Sequence, residues 1–370
     1  MSKKRISKML LTLFAVVLVV TGCSIGNGES NGVQKTKIVE GVPNKIAQDD
    51  QVKIMVIRKI GGDDHTAQFL AGAKAEGESM GFKVDTFSAN GDAAKFHDAI
   101  AQAMEKDYDG FIISHGDDEA TIKEIKKIRD KGIPVVTFDS IEGLAEVQGV
   151  TLTSQQDESL AQQALDELNK QINGQGNIVY LWVDGFPPMV KRNVVYQQYL
   201  QANPGVKEVE RFGTAQGDVS VQTQNAVAAM LTKHKKGEID AIFATWDAFA
   251  IGAARAIKEA GRDEIKIYGI DVSNADLNIM QEDNSSWVAT AAVDPKTIGA
   301  VNVQLLLKKI AGEETPDTYL LPATLITQEK LKTSNGTANM DSLSELIPGW
   351  GTSSDFEEVW MKNLKEAYKK

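Results

Sequence analysis

From Val52 onward the chain alternates short apolar, β-branched runs with longer segments in which apolar residues recur at helical spacing. That is the pattern of parallel strands joined by crossover helices. Strands are predicted at Val52–Ile57, Val84–Ser88, Phe111–Ser114 and Pro134–Phe138, with helices near His65–Met80, Asp92–Lys106 and Glu119–Lys131. After Val147–Leu152 the alternation begins again. Helices near Ser154–Ile172, Val190–Ala202, Val219–Lys235 and Ala248–Ala260 separate strands at Asn177–Trp182, Val206–Arg211, Ala241–Thr245 and Ile265–Ile270. Two similar α/β units therefore follow each other.

A helix at Ala275–Glu282 and a strand at Trp287–Val293 come next. They are followed by a helix at Pro295–Ala311, where proline suits a helix start, and a last extended run at Tyr319–Thr327. These late elements are too few for a third domain and must complete the earlier ones, which implies several chain crossings between two lobes and a hinge there. The expected fold is α/β: two Rossmann-like lobes, parallel sheets flanked by helices, joined by a multi-strand hinge. Residues 51–152 plus 294–322 are assigned to an N-terminal lobe and 153–293 plus 323–370 to a C-terminal lobe. In the tail, Ser354-Asp355-Phe356-Glu357 has the form of a capping box. Phe356, Val359, Trp360, Leu364 and Tyr368 then recur at helical spacing, so an amphipathic terminal helix packed on its own domain is expected.

The N-terminal pattern is different. Lys3, Lys4, Arg5 and Lys8 precede the apolar run Met9–Val20 and then Val20-Thr21-Gly22-Cys23, the order of an export signal. The run is shorter than the ~20 residues that span a bilayer. Cys23 is the only cysteine, and Val20-Thr21-Gly22-Cys23 resembles a bacterial lipobox. Residues 1–22 are accordingly expected to be a lipoprotein signal peptide, Cys23 a lipidated membrane anchor, and the polar, Gly-rich residues 23–50 a flexible tether. A lone cysteine also excludes an intrachain disulfide. The formal net charge of −11 argues against a nucleic-acid surface.

Candidate chemistry collects where strands end. In Gly132-Ile-Pro-Val-Val-Thr-Phe-Asp-Ser140 an apolar run gives way to an acid and a hydroxyl, and ligands of open α/β sheets sit at such carboxyl ends. The residues alone leave open whether Asp139 accepts hydrogen bonds from a ligand or only turns the chain. Trp246 and Trp182 also end strands, and each suits either a crevice or a core. Asp184 and Phe186 follow in a loop, and His115 and Asp117 follow another strand, Asp117 equally suited to a helix cap. Gly174-Gln-Gly176 precedes a strand and lacks the third glycine of a dinucleotide loop. His65, His97, His115 and His234 have no paired ligand spacing, so neither a metal nor a cofactor is expected. With no nucleophile elbow or reactive cysteine pair, binding without turnover is the expected activity.

The order of elements resembles the type I periplasmic binding proteins, the ribose-binding branch in particular. The motifs that carry it are Gly132–Asp139, Ala241-Ile-Phe-Ala-Thr-Trp-Asp247 with Ala250–Ile257, and Ile267-Tyr-Gly-Ile-Asp271, within a similarity spanning Val52–Gln328. The resemblance implies an extracytoplasmic monomer that closes two lobes around a sugar or sugar-like molecule and delivers it to an ABC permease. A ligand-sensing receptor for a membrane signalling protein and a secreted sugar-modifying enzyme are the alternatives. It makes Asp139 and Asp271 acceptors of ligand hydroxyls and Arg192 a ligand-facing cation. His65 and Thr66 fall where the branch places aromatic residues, Ser140 where it places an arginine, and Trp246 and Val293 where it places amides. These departures count against ribose itself. Asp271→Ala is expected to weaken binding and leave the melting temperature of the free protein almost unchanged.

Overall fold

The computed structural model describes residues 39–47 and 51–369; Cys23 and the signal segment lie outside them. The first half of the chain lays down β1 (Lys53–Arg58), α1 (Asp64–Ser79), β2 (Lys83–Ser88), α2 (Ala93–Met104), β3 (Gly110–Ser114), α3 (Glu119–Asp130), β4 (Val135–Phe138) and β5 (Val150–Gln155). The second half repeats the scheme. It runs α4 (Asp157–Ile172), β6 (Gln175–Leu181), α5 (Pro187–Ala202), β7 (Gly205–Phe212), α6 (Val219–Lys233), β8 (Ala241–Ala244), α7 (Asp247–Ala260), β9 (Lys266–Ile270), α8 (Asn274–Met280) and β10 (Trp287–Ala292). Every residue of β3, β4 and β8 is buried, as strands covered by helices on both faces must be. The helices start where side chains satisfy their free N–H groups: Asp63, Asp118, Asp218 and Asp294 each accept from the backbone three residues on.

The chain then crosses back. α9 (Pro295–Ala311) packs beside α1, so closely that a Cβ on Gly72 would stand 2.2 Å from the Lys296 carbonyl oxygen and one on Gly299 2.3 Å from that of Phe69. The run expected as one strand at 319–327 is two. Pro322, which cannot donate to a ladder, separates β11 (Thr318–Leu321) in the first sheet from β12 (Thr324–Thr327) in the second. The sheets have orders β11-β5-β4-β3-β1-β2 and β12-β10-β9-β8-β6-β7, all parallel except β12 against β10. Position for position the two orders correspond. Each sheet reverses its direction of winding between its first and second central strands, β1 and β3 in one and β6 and β8 in the other, and the carboxyl ends face the space between the lobes.

Two short helices not expected from the pattern follow, α10 (Gln328–Leu331) and α11 (Leu343–Leu346), and then α12 (Val359–Tyr368). Met340, Leu343, Ile347 and Trp350 belong to the core of the second lobe. Trp360, Met361 and Leu364 belong instead to that of the first, with Ile46, Val52 and Ile54. The assignment of all of 323–370 to the C-terminal lobe is therefore corrected at α12, because its apolar face finds cover only on the first lobe. Nor does the capping box form. α12 starts after Glu358 without a side-chain cap, Val359 is exposed, and the Glu357 carboxylate is taken by Lys365.

Candidate functional site

Among the described residues, three of the six non-glycine residues with positive φ are His115 (62°), Asp139 (48°) and Asp271 (76°), one immediately after each of β3, β4 and β9. Each still donates its N–H to the next strand, to Phe138, Thr153 and Ala291 respectively, before the chain turns left-handed. The sheet thus continues to the last residue, and the turn aims the side chain into the interlobe space. Strained conformations of this kind persist where surrounding structure enforces them and cluster at functional sites.

Together with Arg58, Asp63, His65, Gln155 and Arg192 these residues form the polar wall of a cleft of about 560 Å³, solvent mouth included. That size suits a small molecule. The apolar wall is Ile60, Val183, Phe186, Pro188, Met189, Ala215 and Trp246. Arg58 is held by bonds to the Thr66 hydroxyl (3.2 Å) and the Ser114 hydroxyl (3.3 Å), and its guanidinium lies 4.7 Å from the Phe69 ring centre. Arg192, on α5, bonds Asp157 at 2.9 Å, the Thr245 carbonyl at 2.6 Å and Asp271 at 3.4 Å. Burial works against its charge, yet Asp271, Asp157 and Asp139 outweigh burial and hold it above its ordinary value. Burial and the Asp157 charge push the Asp139 carboxyl well above the usual range, while Arg192 and Arg58 pull it back. His65 and His115 are driven down, chiefly by burial, which favours the neutral imidazole. Two buried atoms in the wall, His65 Nε2 and Gln155 Oε1, have no hydrogen-bond partner among the described residues. A buried polar atom left so is costly, and a ligand hydroxyl would satisfy it.

The lobes touch around this space. Asp64 accepts from the Asn274 N–H at 3.0 Å, and Gln155 donates to Asp271 at 3.4 Å.

Of the residues expected at the site, Asp139, Asp271, Arg192, Trp246, His65 and Phe186 line the cleft. Thr66, Ser140 and Trp182 do not. Thr66 is buried behind Arg58 and positions it. The Ser140 hydroxyl is consumed by the Gly116 N–H and the Phe138 carbonyl. Trp182 stacks on Tyr180 at 5.9 Å and donates its indole N–H to the Met189 carbonyl, so it belongs to the second-lobe core. Val293 is buried in the first-lobe core, Asp184 is exposed, and Asp117 pairs with Lys59 while Asp118 caps α3. His115 is at the cleft. Arg58, Asp63 and Gln155 were missed, as were the apolar Ile60, Val183, Pro188, Met189 and Ala215; the signal for Arg58 was a charge closing an otherwise apolar strand.

A family model described as a periplasmic binding protein domain matches residues 54–314. Among solved structures, a sugar ABC transporter protein from Yersinia enterocolitica subsp. enterocolitica 8081 is 48% identical, with 90% of this chain and 100% of that one covered and a TM-score of 0.86. A 5-methylthioribose transporter solute binding protein from Thermotoga lettingae TMO is 31% identical over the same shares, with a TM-score of 0.80. The ribose import binding protein of Haemophilus influenzae is 25% identical over 247 residues, 66% of this chain and 80% of the relative. With its two α/β lobes, matching sheet orders and interlobe cleft, this chain belongs to the periplasmic binding protein domain family.

Proposed function

We propose that the protein is an extracytoplasmic substrate-binding lipoprotein that captures a sugar or sugar-like small molecule between its lobes and hands it, unchanged, to an ABC permease. The observation that carries the reading is the convergence of Arg58 and Asp139 from one lobe with Arg192 and Asp271 from the other, in a cleft that also holds unpartnered acceptor and donor atoms. Carboxylates and guanidinium groups match vicinal hydroxyls, and the Trp246 face matches the C–H side of a sugar ring. Relatives support the class: one was solved in complex with 5-methylthioribose, and another is a ribose import binding protein. Cys23, after Val20-Thr21-Gly22, is the proposed lipid attachment and holds the monomer at the membrane through the polar segment that follows.

Thermal-shift screening of pentoses, hexoses, polyols and nucleosides, followed by recovery of the bound compound, tests the reading. A stabilising sugar recovered unchanged in stoichiometric amount is expected, whereas conversion of the compound would favour an enzyme. Mass spectrometry of the native N-terminus should give an acylated Cys23; a different, unmodified N-terminal residue refutes the anchor.

A further inference from the structure

We infer that a cavity on the hinge edge of the molecule, walled by residues 348–355 of the tail, is a second small-molecule site and takes a hydroxylated amine. It shares no lining residue with the sugar cleft and does not depend on the sugar reading. The space is about 1480 Å³, solvent mouth included. Its walls come from both sides of the hinge. Val293 and Asp294 lie on one chain crossing and Leu321, Pro322 and Thr324 on another, and the tail adds a third as it leaves the second-lobe core for α12. Two side chains mark the cavity as one built for an occupant. Gln304, on α9 and 3% exposed, donates its amide N–H to Glu76 at 2.8 Å and leaves Oε1 without a partner among the described residues. Trp350, 5% exposed, leaves its indole N–H equally unpaired. Gly349 (φ 84°) and Gly351 (φ 72°) turn left-handed on either side of it, and both are exposed where the tryptophan between them is buried.

One unpaired group is thus an acceptor from the first lobe and the other a donor from the second. Buried polar atoms are costly to leave so, and a hydroxyl, which donates and accepts, answers both. Charge narrows the class further. Glu76, Asp294, Asp355 and Glu357 line the cavity against one cation, Lys365, which is already held by Glu76 at 2.8 Å and Glu357 at 2.6 Å. A carboxylate or phosphate would enter this acidic wall with no unengaged cation to meet it among the described lining residues. An ammonium group gains from the same wall. A molecule bonded to Gln304 and Trp350 together also ties one lobe to the other, and so favours the arrangement in which the lobes touch.

The test is titration of the nitrogen-15-labelled mature protein with serinol, glycerol and glycerate, molecules of similar size that are cationic, neutral and anionic, followed at the five tryptophan indole N–H signals. Trp350→Phe keeps a buried ring, removes the donor and identifies the Trp350 signal by its loss. Serinol should shift that signal saturably and about tenfold more tightly than glycerol, as a partly screened charge contact supplies, and glycerate should leave it unmoved. Small-angle scattering should give a smaller radius of gyration in saturating serinol for the parent and no change for Trp350→Phe. If none of the three compounds moves the Trp350 signal saturably, the cavity holds water only and the inference is overturned. Glycerate binding as tightly as serinol, shifts confined to Trp246 in the sugar cleft, or an unchanged radius in the parent overturns it equally. The sugar reading stands in each case, since none of these outcomes bears on sugar binding.

Discussion

Asp139 was a candidate from the sequence because an acid that follows a buried β-branched run stands where ligands of α/β sheets sit, with a chain-turning role equally open, and Asp271 entered through the resemblance; both line the cleft. Gln155 and Arg58 were not candidates, since one ends a strand at a lobe crossing and the other is followed by Lys59, so that each resembles an ordinary polar strand end. The structure also revises one expectation. Asp271 is buried and bonded to Arg192, so it is part of the folded frame as well as of the cleft. Asp271→Ala should therefore lower affinity by about 1–3 kcal/mol and also lower the melting temperature of the free protein, because Arg192 loses one of its buried partners. Calorimetry and thermal denaturation of the same variant check both parts. A second residue-scale prediction concerns Asp276, which is fully buried, has neither carboxyl oxygen bonded to a donor among the described residues, and faces Asp247. Burial pushes its carboxyl up to about 8, outweighing the opposing influence of the nearby Ser273 and Asp247. Its folded value lies above its unfolded one near 4, so its contribution to stability is complete below about pH 4 and is lost as pH rises through about 8. The lowered His65 and His115 act in the opposite sense, but only below their unfolded value near 6.5. Between pH 7 and 8 the parent should lose melting temperature more steeply than Asp276→Asn; parallel slopes would show that this carboxyl is already ionised.

At the scale of elements, periodicity located β1 to β10 and the long helices, because strands buried on both faces and helices half buried leave strong patterns, but it merged β11 and β12 into one run. The tail was harder. Its apolar residues gave the helix correctly but carried no information about which lobe would cover them, and the acidic cap motif lost its glutamate to Lys365. The pairing of α12 with the first lobe predicts that Trp360→Ala, which empties a site only 6% exposed and frees the Glu313 carboxylate from its 2.8 Å indole bond, costs about 3 kcal/mol. Denaturant titration should register this as a lower midpoint. An unchanged midpoint would mean that α12 contributes nothing to the first lobe.

For the molecule as a whole, the chain passes between lobes at 155–157, 292–295, 321–324 and, through the tail, 347–359. The first three were implied by the late helix and strand; the fourth is added by the reach of α12 back across the hinge. Binding should draw on this connection by shifting a population of open molecules toward the arrangement in which Asp64 meets Asn274. Small-angle scattering is expected to give a smaller radius of gyration with saturating ligand than without, and equal radii would mean the lobes do not move. The central claim, that strand ends of both lobes form a sugar site, is tested most directly by calorimetric titration of the best-binding sugar into the parent protein and Asp139→Ala. One-to-one binding in the parent, weakened at least about tenfold in the variant, is the predicted result, since a buried hydrogen-bond partner of the ligand is worth about 1–3 kcal/mol. Equal affinity in the two proteins, or no sugar binding to the parent at all, would contradict it.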